Sequence, residues 1–572
     1  MINHSPNDPI ENLAIGKIIE VDGSHIIAEL DPKIEELSRV FAGETYPIGQ
    51  FGSIIKIHFG RRIIYGYVGR LRMKTEYERE SGTIISNVSD DARIIEADLF
   101  GEGEWILNSK ETPARWELRF ERGVSTFPLP QQAVFLTPSS ELKFIYGHGI
   151  GSTIVIGEHV GSGGTPCHAD LNELIGKHTA ILGSTGSGKS AAVAVILHAI
   201  LDHYKESGYT TWNPRIIILD PHNEYGAAFP EHKRLSTDEG KLQLPYWLLN
   251  LQETLALIIG KTEFVATSQA NIVKTALLNA RSTSAPIVGI DATKITVDAP
   301  IPYSIDKFKQ EVDGQRPPGK DKKEQEPFNS VINKLETLQR DARMNFMMSA
   351  WNGANDPFGL ILSQFVGEGP SVRIVDLSGV PNEVAGVASA VIARTLFNLK
   401  VWQSPAERQQ DPILLVCEEA HRYVPNRGES QYEAAQEAIR RIAKEGRKYG
   451  LGLFLISQRP SEVEATVLSQ CNTWLVLRIT NDTDREHVKS ILPDSLAGLT
   501  KLLSGLRQRE AIFVGQAAML PSRILISKLE DEKLPRSRDV DFEQGWNTKR
   551  MTDEKLVDIA KRWRLQERPQ QN

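Results

Sequence analysis

The chain has 572 residues, 40% of them hydrophobic and 24% charged, with a net charge of −7 and a pI near 6.1. That length exceeds one hydrophobic core and calls for two to four domains. The acidic balance excludes binding of nucleic acid through a surface that is basic all over, so any such contact has to come from a local patch. Three widely separated cysteines, Cys167, Cys417 and Cys471, lack metal-ligand spacing and read as free thiols of a reducing cytosol. Met1–Ile10 has no basic segment followed by an apolar one. The apolar run Ala191–Leu201 is too short for a bilayer and is interrupted by His198. The expectation is a cytoplasmic protein with no membrane partner.

In chain order, Gly16–Val21, His25–Leu30, Ser53–His58 and Ile63–Val68 alternate with Gly, Asp and Pro punctuation, as in a small antiparallel β-barrel over residues 1–90. Between Gly52 and Lys74 every ionised side chain is basic: Lys56, Arg61, Arg62, Arg70, Arg72 and Lys74. This run is either a docking surface for DNA or a partner, or a solvated barrel face. Residues 91–165 hold further strands and end in a linker at Gly161–Gly164. Buried strands then alternate with helices, the grammar of an α/β core with a mainly parallel sheet, in two parts, 166–251 and 371–535. Its predicted strands are Thr179–Leu182, Arg215–Leu219, Pro245–Leu251, Val372–Val375, Ile413–Cys417, Leu451–Ile456, Thr473–Ile479, Ala511–Val514 and Arg523–Ile526. Between the two parts, 252–370 is a helical insertion, with Phe328, Ile332, Leu335, Leu338 and Ala342 three or four apart. Within it, Gly314–Glu326 is rich in Pro, Gly and Lys and is expected to be mobile. Residues 536–572 form a polar tail with one helical stretch, Asp553–Trp563, which is either an arm to another subunit or a loosely packed end.

Gly183-Ser184-Thr185-Gly186-Ser187-Gly188-Lys189-Ser190 follows the strand Thr179–Leu182 and precedes an apolar helix starting near Ser190, the context a phosphate-binding loop requires, and Ala191 completes the nucleotide-binding segment. Its glycines let backbone N–H groups converge on phosphates, Lys189 neutralises the β/γ oxygens, and Ser190 offers its hydroxyl to Mg²⁺. The cofactors are therefore ATP and Mg²⁺. Hydrolysis needs an acidic strand end, and Pro412–Glu419 provides one. Glu418 assists the metal and Glu419 polarises the attacking water. Gln458, after the next strand, senses the γ-phosphate or orients water. On the helix Glu437–Lys448 the C-terminal end points away from the chain's own phosphates, which makes Arg447, with Arg441 second, the candidate arginine finger for a neighbouring subunit. Arg441 has an alternative, an ion pair with Glu437 one turn earlier.

These residues carry a family likeness. Ile181–Ser190, Asp220-Pro-His-Asn-Glu-Tyr225, Glu418-Glu-Ala-His421, Glu445–Gly450 and Ser457-Gln-Arg-Pro460 occur in that order, and together the chain resembles the HerA group of the HerA–FtsK superfamily. The resemblance implies a RecA-like core, a homohexameric ring and ATP-driven movement of double-stranded DNA through its pore. It also implies an effector docked on the barrel, a nuclease or sirtuin-like protein, in DNA-end processing or anti-phage defence. Asn223 stands where the group often has Gly, and Lys444 where Arg is frequent, which favours Arg447 as the finger. The loop His421–Gln431, with Arg422 and Arg427, either faces DNA or is an ordinary surface loop. The competing function is an ATP-regulated platform that holds and switches an effector without moving DNA.

Overall fold

The computed structural model describes residues 6–34, 36–50, 52–80, 92–108, 115–147, 152–160, 164–207, 209, 211–237, 241–260, 267–319, 321–380, 382–426, 433–492, 500–536 and 541–565. Arg427 and residues 161–163 of the expected linker lie outside them. The first strands are β1 (Ala14–Asp22), β2 (His25–Leu30), β3 (Ser38–Phe41), β4 (Glu44–Pro47) and β5 (Ile54–Phe59). They are followed by β6 (Arg62–Met73), β7 (Arg93–Asn108), β8 (Arg115–Arg122) and β9 (Ala133–Leu136). Next come β10 (Thr153–His159), β11 (Pro166–Asp170), β12 (Thr179–Leu182), β13 (Arg215–Asp220), β14 (Lys233–Ser236) and β15 (Val372–Asp376). The last are β16 (Ile413–Cys417), β17 (Leu451–Ser457), β18 (Thr473–Leu477), β19 (Glu510–Gly515) and β20 (Ser522–Ile526). Two compact units result: Met1–Leu174 with Gly183–Ala199 and Thr473–Lys528, and Ile175–Leu182 with Ile200–Asn472 and Leu529–Asn572.

In the first unit, β2-β1-β9-β5-β6-β7 pair antiparallel and β2–β7 pairing closes them into a six-stranded barrel. β8 extends β7 as a hairpin partner. Alternation puts Ile15, Ile18, Ile55, Ile57, Ile64 and Val68 inside. β7 and β9 come from beyond residue 90. Much of the basic run is paired with acidic side chains: Lys56 is buried and its Nζ lies 2.6 Å from Glu141 Oε2. Arg62 pairs with Glu102, Arg72 with Glu80 and Glu96, and Lys74 with Glu29. A separate antiparallel run in this unit is ordered β11-β10-β20-β19-β18.

The second unit holds the parallel run β12-β17-β16-β13-β15-β14. β12, β15, β16 and β17 are buried at every position, as strands covered on both faces must be. Within the helix Asn382–Trp402, the segment Val384–Trp402 is long and apolar enough to cross a membrane, but 72% of its apolar window is buried within the fold, and the helix packs against the helix Glu433–Tyr449.

Three local expectations fail for identifiable reasons. Pro245–Leu251 is not a strand: Tyr246–Leu248 is a buried 3₁₀ turn. The buried Arg281 guanidinium donates to the carbonyls of Trp247 (3.0 Å) and Leu249 (2.6 Å), acceptors that a sheet would have used. The edge strand is instead β14, hidden by its polar composition. Gly314–Glu326 is largely ordered: Asp321 caps the helix Lys322–Arg340, and Arg316 binds Asp313, Gln325 and Asn329. On that helix Phe328, Val331, Leu335 and Leu338 face inward, Ile332 is half-buried, and Ala342 lies beyond the helix end and is exposed.

His178 enters β12 with a left-handed φ of +59°. Its buried ring accepts the Leu453 N–H at 3.1 Å through Nδ1, which requires the neutral imidazole. Burial pushes its pKa down from 6.5 to about 4. The unfolded chain therefore binds a proton that the native state refuses. The resulting stabilisation is fully present above pH 6.5 and is lost as the pH falls towards 4. Asn tolerates the left-handed backbone and does not titrate. Between pH 7 and 4, urea unfolding is expected to show the native chain losing on the order of 3 kcal/mol more stability than His178→Asn; equal losses would refute the assignment.

Candidate nucleotide-hydrolysis site

The phosphate loop leaves β12 at Leu182. A Cβ at Gly183 would lie 2.7 Å from Ser187 Oγ and 2.9 Å from Leu477 Cβ, so only glycine fits this turn. Gly186 and Gly188 have φ of +73° and +95°. Their amide N–H groups have no acceptor among the described residues, an arrangement suited to an anion. The loop is braced from outside: Ser184 N–H donates to the Arg478 carbonyl at 2.9 Å, and Arg509 N–H donates to the Ser187 carbonyl at 3.2 Å. Arg509 has a φ of +66°, a conformation that costs about 1–3 kcal/mol and is found at functional sites. Nothing in the sequence marks Arg509 as a loop neighbour. Lys189 begins the helix Lys189–Asp202 and is buried.

In the second unit the parallel register aligns Leu182 with Ser457, Cys417 with Leu455, and Leu219 with Cys417. Glu418, Glu419, Gln458 and Asp220 therefore emerge at one edge, the C-terminal edge where such sheets bind ligands. Both glutamates are 3% exposed. Glu419 is held at φ +54°, ψ +51°, so its carboxylate turns out of the strand direction. Gln458 Nε2 donates to Glu419 Oε1, while His421 Nδ1 lies 3.3 Å from Glu419 Oε2 and 3.3 Å from Ser457 Oγ. Burial lowers the His421 pKa, with Glu419 opposing it. Sequence reasoning missed His421, although it stands in the quoted Glu418–His421 motif.

Asp220, at the end of β13, is fully buried and accepts the N–H groups of His222 (3.2 Å) and Tyr225 (3.0 Å). Burial pushes its carboxyl up to about 6, against those two hydrogen bonds, with Asp376 and Glu224 adding to the rise. Asn223 has a φ of +55°, a left-handed backbone that Gly and Asn adopt more readily than other residues.

The helix Glu433–Tyr449 ends at the opposite edge, because β17 starts at Leu451. Arg447 is exposed in its last turn and makes no ion pair among the described residues. Arg441 does not pair with Glu437: its guanidinium lies over the Phe397 ring, 4.6 Å from the centroid, and 3.7 Å from Glu445. Arg440 takes Glu437 and Glu464 instead. The segment after His421 is not free either: Asn426 bonds to the carbonyls of Glu462 (2.7 Å) and Ser461 (3.1 Å).

A glycine-rich loop between a buried parallel strand and a helix, together with paired carboxylates at a C-terminal strand edge, defines a RecA-like P-loop ATPase. Residues 154–396 match the family model described as the central domain of the helicase HerA. The DNA double-strand break repair helicase HerA of Pyrococcus furiosus is 27% identical over 433 residues, 70% of this chain and 73% of its own. The HerA of Sulfolobus acidocaldarius is 28% identical over 440 residues, 75% of this chain and 79% of its own. VirB4 of Thermoanaerobacter pseudethanolicus, a solved structure, is 17% identical with a TM-score of 0.45, covering 67% of this chain and 99% of that one. The chain is thus similar to HerA-type helicases, through its central region and over about three quarters of its length.

A methyl group at Gly188 meets both an unfavourable φ and Arg509 N at 3.4 Å. Gly188→Ala is expected to weaken binding of a fluorescent ATP analogue at least tenfold, with the unfolding midpoint lowered by no more than a few degrees; unchanged affinity would refute the phosphate-loop geometry.

Proposed function

We propose that this chain is an ATP-driven motor that moves along double-stranded DNA as a ring of identical subunits, six by family resemblance. The observation that carries this reading is Glu419: a buried carboxylate in a strained backbone conformation at a sheet edge, bonded to Gln458, on a chain similar to DNA-repair helicases. In this reading the amides of residues 183–191 and Lys189 hold the triphosphate. Glu419 accepts the proton of the attacking water, and Gln458 exchanges its bond to Glu419 for one to that water or to the γ-phosphate.

Mg²⁺ fits the donor set. Among the described residues there is no cluster of three or more His, Cys, Asp or Glu side chains that could hold a metal. Mg²⁺ in phosphate-loop enzymes needs no such cage; it takes one hydroxyl, one or two carboxylates, water and the substrate's phosphates. Ser190 and Glu418 would supply the hydroxyl and the carboxylate, and the ion would contribute neutralisation of charge developing on the phosphoryl oxygens. An effector on the barrel, nuclease or sirtuin-like, and a role in DNA-end processing or anti-phage defence rest on the family resemblance. The pairing of Lys56, Arg62, Arg72 and Lys74 within the barrel argues that such a partner reads other side chains.

Glu419→Gln is expected to keep ATP binding within about threefold and to lower turnover by 10²–10⁴, while the native ATPase rises several-fold with long duplex DNA. Turnover indifferent to DNA, with rings and effector binding intact, would establish the platform function instead. A second experiment tests Arg447. Arg447→Ala and Glu419→Gln are each expected to be inactive alone, but in equimolar mixed rings about one interface in four pairs an intact Glu419 with a neighbour's Arg447. Recovery of ATPase on mixing is expected; no recovery would remove Arg447 from the role.

A further inference from the structure

Asp220–Tyr225 occupies the end of a core strand, yet none of the roles above uses it. Its geometry is specific. Asp220 folds the turn back by accepting two of its N–H groups, at His222 and Tyr225. Asn223 supplies the left-handed residue that the reversal needs. The turn places the Tyr225 ring in a fully buried position, where its hydroxyl donates to Glu418 Oε2 at 2.7 Å. The glutamate is fixed at its base as well, since Glu418 N–H donates to the Leu219 carbonyl at 3.3 Å.

We infer that Tyr225 is the positioning residue of Glu418: its phenol selects the glutamate rotamer that presents the carboxylate to Mg²⁺. The inference rests on the proposed magnesium role of Glu418. An acidic residue at this strand end is more commonly Asp, and Glu carries one more rotatable bond. A freely turning Glu loses more rotamer entropy on engaging the ion, and most of its rotamers point elsewhere. A buried phenol bonded to one carboxylate oxygen removes that freedom before the ion arrives. A neutral donor suits this task better than Lys or Arg. It orients the carboxylate without cancelling the charge that attracts the cation.

The experiment measures metal-dependent nucleotide binding, with no turnover required. A fluorescent ATP analogue is titrated at varied Mg²⁺ in the full chain carrying Tyr225→Phe, Glu418→Gln, Glu418→Asp or Tyr225→Phe with Glu418→Asp. Tyr225→Phe keeps the ring and removes only the hydroxyl. It is expected to raise the Mg²⁺ concentration at half-maximal binding 3–10-fold, with affinity in excess EDTA unchanged. Glu418→Asp withdraws the carboxylate from the phenol and is expected to shift the dependence the same way. The double variant is then no worse than either single one, the signature of a coupled pair. If Tyr225→Phe does not fold, Glu418→Asp still reads the geometry, because it leaves the aromatic packing intact. An unmoved Mg²⁺ dependence in Tyr225→Phe, with Glu418→Gln shifting it, overturns the positioning role alone, as does full additivity of the two substitutions. A Glu418→Gln chain with native Mg²⁺ dependence overturns the magnesium role of Glu418, and the inference falls with it.

Discussion

Glu418 and Glu419 are two carboxylates, each 3% exposed, set side by side at the end of a strand with no solvent-facing position. An ionised carboxylate in such surroundings is stable only if its lone pairs are satisfied or a cation is close. Side chains from the neighbouring strands meet part of that demand. Tyr225 donates to Glu418 and Gln458 donates to Glu419, while His421 Nδ1 lies 3.3 Å from Glu419 Oε2. A neutral donor stabilises a carboxylate without quenching its charge, so these hydrogen bonds leave the negative field available to a metal ion and a water molecule.

This constraint extends outward along the sheet. Tyr225 reaches Glu418 only because β13 and β16 are neighbours in register, Leu219 opposite Cys417. Gln458 reaches Glu419 because β17 pairs on the other side of β16. The order β17-β16-β13 therefore places one hydrogen-bond donor on each flank of the acidic pair. A change of strand order would remove at least one of these hydrogen bonds, at a cost of about 1.5–3 kcal/mol for a bond to a charged group. The fold and the acidic pair specify one another.

Much of this was legible in the residues. The phosphate loop is a local object: glycine spacing, a strand before and a helix after are all contained in twenty residues. The apolar strands of the parallel run are equally local, because burial on both faces writes itself as an unbroken apolar string. What escaped was set by partners distant in sequence. Pro245–Leu251 has a strand's composition, but Arg281, more than thirty residues later, takes its carbonyls. Lys56 reads as surface charge until Glu141 arrives from a helix eighty-five residues away to bury it. Arg440 and Arg441 are adjacent on one helix, yet Glu464 and Phe397 decide which of them pairs with acid and which lies on a ring. Spacing alone cannot divide such neighbours.

The connection between β16 and β17 has a consequence for how a ring of such chains would work. A parallel crossover must return the chain to the start of the next strand, so its helix runs from the catalytic edge to the opposite one. Glu433–Tyr449 has 17 residues, a span of roughly 25 Å at 1.5 Å per residue. Arg447 is delivered to the far edge by the same element whose first residues follow the acidic pair. An arginine there is remote from its own carboxylates by construction, whatever its side chain does. If it completes a site, that site belongs to another copy, and hydrolysis in one subunit then depends on the placement of its neighbour. In the proposed motor this coupling is a product of the crossover rule, and the helix that separates the two edges within a chain is the element that would carry the position of one subunit to the chemistry of the next.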